Sequence, residues 1–180
     1  DAFKYSELAN ELYDFAWNDF CSFYVEILKN RLADPALRPH AQSMLVFGLD
    51  TLLRLLHPLM PFITEEIWQL LGGIAPARGF DADAAPECLI GATWPVIDPR
   101  FDSPAVEQQF SLFQSTLGSL REIRNRQNLP PKQEIKFSIE SDAAFADSLR
   151  PLSPYFNNMA NATLVEMGPG ITPPSVNATI

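Results

Sequence analysis

Hydrophobic positions in the first part of this chain recur at helical spacing. Leu8, Leu12, Phe15, Ala16, Phe23 and Ile27 predict one long helix over Tyr5 to Arg31, ended by Asp34-Pro35 and Arg38-Pro39. A second helix is predicted from Pro39 to His57, with proline in the first turn, where its missing N–H costs nothing. Met44, Phe47, Leu49, Leu52, Leu53, Leu55 and Leu56 make that helix apolar on most sides, which suits the centre of a bundle. His57-Pro58 and Met60-Pro61 interrupt the run. A shorter helix then covers PFITEEIWQLL, with Glu65 and Glu66 near its positive end and Gly72-Gly73 as its stop. Ile74 to Ser103 carries four prolines and predicts a loop that wraps the bundle, anchored by Leu89, Ile90 and Trp94.

Ser103-Pro104 reads as an N-cap followed by a first-turn proline. The third long helix follows, to about Gln127. Val106, Phe110, Phe113, Leu117 and Leu120 form a 4-3-4-3 seam, the pattern of antiparallel bundle packing. Arg124 stands where the next seam residue would fall, so the core is expected to end there and the last turns to enter solvent. Beyond Asn128-Leu129-Pro130-Pro131 the period changes to two: Glu134 to Glu140 alternates as a half-buried strand. Short helices over 141–149 and from Ser153-Pro154, then a strand over Ala162 to Met167, complete a small α/β appendage. The expected organisation is mainly α: a helical bundle over 1–131, an appendage over 132–168, and a linker or tail over 169–180.

The composition, 47% hydrophobic in 180 residues, is that of a folded globular chain. No apolar run reaches the roughly 18–20 residues of a membrane span, and the opening stretch has no signal-peptide pattern, so a cytoplasmic location without membrane contact is expected. Cys21 and Cys88 are too few for a zinc site or a disulfide framework. A formal net charge of −9 counts against a general nucleic-acid binder. The charge is uneven, however. Asp81 to Glu107 holds six acids and one base, whereas Arg121 to Lys132 holds four bases and one acid. A basic patch acts locally, within a Debye length of about 8–10 Å.

Three groups of residues carry possible chemistry. FAWNDFCSFYVE, from Phe15 to Glu26, packs five aromatics into three helical turns. Phe15 and Phe23 lie on the apolar stripe and are expected in the core. Trp17, Phe20 and Tyr24 share a second face beside Asn18, which needs either another helix or a flat ligand such as a nucleobase. Arg54 and His57 share a face at a helix C-terminus, where cations complement the dipole or meet a phosphate or base. Arg121, Arg124 and Arg126 form a basic cluster that is either a solvated helix end or a contact for a phosphate backbone. Signatures of catalysis (a nucleophile elbow, a P-loop, H-E-x-x-H, a dinucleotide glycine run) do not occur in the sequence.

At these segments the sequence resembles the anticodon-binding domain of the class I aminoacyl-tRNA synthetases for branched aliphatic amino acids. FAWNDFCSFYVEILK at 15–29 is similar to the aromatic helix of the valyl members. LLRLLHPLMPFITEEIW at 52–68 is similar to a helix–proline–helix segment shared with the isoleucyl and leucyl members. REIRNRQNLPPK at 121–132 is similar to the family's R-x-I-R-x-x-x-N-x-x-P stretch. The resemblance implies a helical bundle that binds the anticodon stem and loop of a valine tRNA. Phe20 would stack on an anticodon base, with Trp17, Asn18, Tyr24, Arg54, His57, Arg121, Arg124 and Arg126 on or near the tRNA side. It also implies a larger ligase that uses ATP and Mg to activate valine. The H-I-G-H and K-M-S-K-S signatures of that chemistry are not in this sequence, so no catalytic residue, cofactor or metal ligand is expected within it. The catalytic core, a first bundle helix and a C-terminal coiled coil would be the remaining partners. The alternatives are the isoleucyl or leucyl counterpart, or a helical protein-interaction module.

Overall fold

The computed structural model describes residues 4–78, 83–130 and 132–171. It is mainly α with small sheets, the expected class, and it divides into two compact units, Asp1–Ile97 and Asp98–Ile180. The third long helix, assigned by sequence to a bundle over 1–131, belongs to the second unit.

In the first unit the chain is helical from Tyr5 to Ala33, but its winding changes twice. α1 (Tyr5–Asp14) leads into a π-helical segment (Phe15–Tyr24), and α2 (Val25–Ala33) follows. α3 (Arg38–Leu56) packs against α2 and α4 (Pro61–Ile74). Leu53, Trp68, Leu71 and Leu89 form the core, with Val46, Leu49 and Ile67 packed around them. Trp68 and Leu53 are almost wholly buried, and burial of large apolar side chains is the main stabilising term, about 1.5–3 kcal/mol for each.

Gly72-Gly73 does not stop α4 as expected; the helix runs on to Ile74, and Ala75 donates to the Leu71 carbonyl. Arg78 approaches at this point: a Cβ on Gly72 would stand 3.2 Å from its Nη2. The small residue there accommodates a guanidinium.

The 74–103 segment contains a two-residue antiparallel pairing of β1 (Ala77–Arg78) with β2 (Asp83–Ala84) and short 3-10 turns at Leu89–Gly91 and Pro99–Phe101. Of the three expected anchors only Leu89 is buried; Ile90 and Trp94 are exposed. The remaining anchorage is polar. Trp68 Nε1 donates to the Pro86 carbonyl at 3.0 Å, and Gln69 donates to the Glu87 carbonyl at 2.6 Å. The Leu89 N–H donates to the Glu65 carboxylate at 2.9 Å. An irregular segment leaves its backbone groups unpaired, and side chains on α4 satisfy them. Glu65 therefore serves the loop rather than only the helix dipole.

In the second unit, α5 (Pro104–Arg126) starts with proline in its first turn, although Ser103 makes no side-chain cap bond. Phe113, Leu117 and Leu120 are buried as the seam predicts, while Val106 at its open end is exposed. β3 (Ile135–Glu140), α6 (Ala143–Leu149), α7 (Pro154–Ala160) and β4 (Ala162–Gly168) follow, close to the ranges read from the sequence. β3 and β4 pair in parallel, the arrangement that needs a helical crossover, which α6 and α7 supply. A register shift between Phe137 and Ser138 leaves Val165 unpaired and exposed. Phe156 joins the layers, with its ring 4.9 Å from that of Phe113 on α5 and 5.3 Å from that of Phe137 on β3. Of the expected tail, 172–180 lies outside the described residues.

Candidate nucleic-acid interface

The aromatic segment owes its surface to its winding. A π-turn closes i→i+5 bonds and takes in an extra residue, and such turns are frequent at functional sites. Val25 N–H donates to the Phe20 carbonyl, five residues back, and the Ser22 hydroxyl donates to the Trp17 carbonyl, also five back. Faces assigned on a 3.6-residue period therefore drift. Phe15, expected in the core, stands exposed. Phe20, expected on the second face, sinks to 8% exposure beside Phe23. Trp17 remains 61% exposed with Asn18 next to it, and Tyr24 is half-buried with its ring 5.7 Å from that of Phe20. Burial pushes the Tyr24 phenol above its usual value of 10.0, opposed in part by the charge of Arg31. The segment thus exposes Trp17, Asn18 and part of Tyr24, while the Phe20 ring lies against α3 at Gly48.

Arg54 and His57 are committed to partners. Arg54 is paired with Asp50 one turn earlier at 2.7 Å, and its Nη1 donates to the Thr93 carbonyl at 3.0 Å. His57 Nδ1 lies 2.8 Å from Thr64 Oγ1, and that hydroxyl also lies 2.8 Å from the Met60 carbonyl and 3.2 Å from that of Pro61. The pair spans the Pro58–Pro61 break and fixes α4 against the end of α3.

The basic cluster separates in the second unit. Arg121 and Arg126 are exposed; Arg126 is paired with Glu122 at 2.6 Å. Arg124 overturns the expectation that the core ends there, because only 6% of it is exposed. Its Nη1 donates to the carbonyls of Ala160 and Asn161, and its Nη2 to those of Pro130 and Gln133. The guanidinium continues the seam as a clamp on the end of α7 and the turn into β3. Asn161 adopts left-handed backbone just past α7, and its side chain donates to the Lys132 carbonyl.

Three further residues were not singled out by sequence: Gly48, Asp50 and Arg78. A glycine inside an apolar helix is a signal of close approach, and the i,i+4 spacing of Asp50 and Arg54 is readable as a pair. Nothing local points to Arg78, whose 28-residue separation from Asp50 closes only in the fold. Among the described residues no cluster of His, Cys, Asp and Glu could hold a metal ion, and no helix is long and apolar enough to cross a membrane.

Residues 1–139 match the family model for the anticodon-binding domain of tRNA ligases. The chain belongs to that family. The similarity extends to particular members, the valine–tRNA ligases. The chain is 44% identical to the valine–tRNA ligase of Rhodopirellula baltica over 174 residues, 96% of this chain and 17% of that enzyme. It is 33% identical to that of Laribacter hongkongensis over 177 residues, 97% of this chain and 18% of the relative. It is 31% identical to that of Bacillus subtilis over 174 residues, 95% of this chain and 18% of the relative. The chain therefore spans less than a fifth of the length of these relatives.

Proposed function

We propose that this chain reads the anticodon of a valine tRNA for a ligase that activates valine with ATP and joins it to that tRNA. The observation that carries the reading is the likeness of nearly the whole chain to one region of valine–tRNA ligases, within the anticodon-binding family. The exposed edge of the aromatic segment supports it. Trp17 offers a ring to a splayed base, Asn18 an amide for base-edge hydrogen bonds, and Tyr24 a half-buried phenol. Phe20 would act through the same surface by supporting Tyr24, or by direct stacking after the segment shifts. Arg121 and Arg126 are the exposed cations for phosphates, which fix register without reading sequence. Arg54, His57 and Arg124 would position these elements through the partners already described.

ATP and Mg belong to the catalytic part of such a ligase, and this sequence lacks both ATP-site signatures. A cytoplasmic location, the valine tRNA and the rest of the ligase as partners follow from the same reading, as does the organisation into a bundle and an appendage.

Fluorescence anisotropy with valine tRNA, beside the same tRNA carrying a changed anticodon, tests this at two salt concentrations. The expected result is preference for the native anticodon and weaker binding at higher salt. Trp17→Ala should weaken binding by about 1–3 kcal/mol if a base stacks there. Equal affinity for both tRNAs would overturn anticodon reading by this chain.

A further inference from the structure

Hydroxyls on the α-helices of this chain reach back four residues: Ser43 to the Pro39 carbonyl on α3, and Ser115 to Ser111 and Thr116 to Leu112 on α5. Ser22 reaches back five, to the Trp17 carbonyl at 2.8 Å, and the Val25 N–H does the same to Phe20. The winding of Phe15–Tyr24 is thus wider than that of the helices around it, and it decides where Trp17 points. Leu28 on α2 is buried and marks the core side of the helix. Trp17 stands eleven residues before it. At about 100° per residue, an uninterrupted α-helix would bring Trp17 within about 20° of Leu28, facing the core. The same helix would place Phe20 about 80° to the side. In the structure Trp17 is exposed and Phe20 is buried. The extra residue taken up by the π winding turns Trp17 outward.

Upstream, α1 has no buried residue, so packing against a core does not fix its rotation. The tie that does hold the segment lies on α3. The Phe20 ring rests over Gly48, where a Cβ would stand 2.7 Å from Cε2. A side chain at position 48 would push the ring from this seat. Rewinding the segment is the movement that withdraws the ring, and the same movement carries Trp17 inward.

We propose that Gly48 is a positioning residue for base recognition: by admitting the Phe20 ring it holds Phe15–Tyr24 in π winding and so keeps the Trp17 ring turned to solvent. Gly48 acts through Phe20 and needs no contact with RNA. The proposal rests on the anticodon reading for its ligand, whereas the control of winding is a property of the free chain.

Iodide quenching and tRNA anisotropy on one set of chains test it. Trp94→Phe leaves Trp17 as the exposed indole beside the almost wholly buried Trp68, so quenching in that background reports Trp17. Gly48→Ala should shield Trp17 from iodide. Adding Phe20→Leu, whose smaller side chain fits beside the new methyl group, should expose Trp17 again. Preference for the native anticodon should fall about fivefold or more in folded Gly48→Ala, the worth of one stacked base. A merely structural glycine would lower the melting temperature and move neither quenching nor preference, and that result overturns the proposal. Scalar couplings across hydrogen bonds in the unsubstituted 180-residue chain give a reading that needs no variant: the Val25 amide should couple to the Phe20 carbonyl carbon. Coupling to the Cys21 carbonyl carbon instead means α winding and overturns the proposal. Should Gly48→Ala fail to fold, the double variant decides: an exposed Trp17 supports the seat, and a shielded one overturns it. If quenching follows Gly48 but the unsubstituted chain binds both tRNAs equally, the anticodon reading falls and the control of winding stands. If the unsubstituted chain prefers the native anticodon and quenching ignores Gly48→Ala, the reading stands and this proposal falls.

Discussion

The ring of Phe20 fills the space that a side chain at Gly48 would need. A Cβ at Gly48 would lie 2.7 Å from Phe20 Cε2, closer than real contacts allow. Gly48 sits in the interior of α3, where glycine costs roughly 0.8–1.0 kcal/mol relative to alanine. That cost is offset by the seating of the aromatic segment on α3. The family's base-stacking candidate is thereby also a packing residue in this structure, and a substitution at Phe20 alone does not separate the two roles.

Gly48→Ala should destabilise the chain by about 1–2 kcal/mol, because overpacking outweighs the gain in helix propensity. Phe20→Leu in the same chain should recover most of the loss. Urea unfolding of both single variants and the double variant measures the coupling. Additive effects would mean that the two residues do not meet in solution.

Arg124→Ala should cost about 2–4 kcal/mol of stability, since it leaves the buried bond to the Ala160 carbonyl unmade and removes the tie from α5 to the carbonyls of Pro130 and Gln133. Arg126→Ala, at an exposed position with one surface ion pair, should change stability by less than about 1 kcal/mol. Binding to tRNA should divide the opposite way. Arg126→Ala flattens the salt dependence, and Arg124→Ala leaves binding per folded molecule unchanged. Thermal melts and anisotropy on the same preparations check both halves.

The Tyr24 phenol should ionise above 10.0 in the folded chain, because burial disfavours the phenolate more than Arg31 favours it. A folded value raised above the unfolded one contributes stability that is intact below pH 10.0. That contribution is lost as pH rises through the folded value. Tyr24→Phe should therefore reduce the alkaline loss of stability. Absorbance titration of the phenols should lose one transition above 10.0 in that variant.

Glu65→Ala should loosen the 84–94 segment without unfolding α4. It removes the acceptor of the Leu89 N–H and of the Gln69 amide. Faster hydrogen exchange at the Leu89 amide, with little change at Leu53, is the expected pattern. Uniform acceleration across the first unit would mean that the loop and the core open together.

Helix positions, the strand pair and the seam of α5 were readable because they depend on local periodicity and on prolines that act where they stand. The three segments that carry the family resemblance were readable for the same reason: each is a continuous run of residues. What the sequence could not supply was where the long-range partners lie. Whether Arg124 ends a core or extends it depends on the carbonyls of Pro130 and Gln133 and on the end of α7, which the parallel pairing of β3 and β4 brings to it. Ile90 and Trp94 looked like anchors by hydrophobicity. The loop is instead held through backbone groups that only folded neighbours could satisfy. The winding of Phe15–Tyr24 escaped a 3.6-residue reading because a π-turn leaves no local mark in composition, and it decides which aromatics face solvent. The Asp50–Arg54 pair is visible at i,i+4, but its second cation arrives from Arg78 on β1. Charge balance in a buried cluster is a sum over the whole fold, so only the tertiary structure set it.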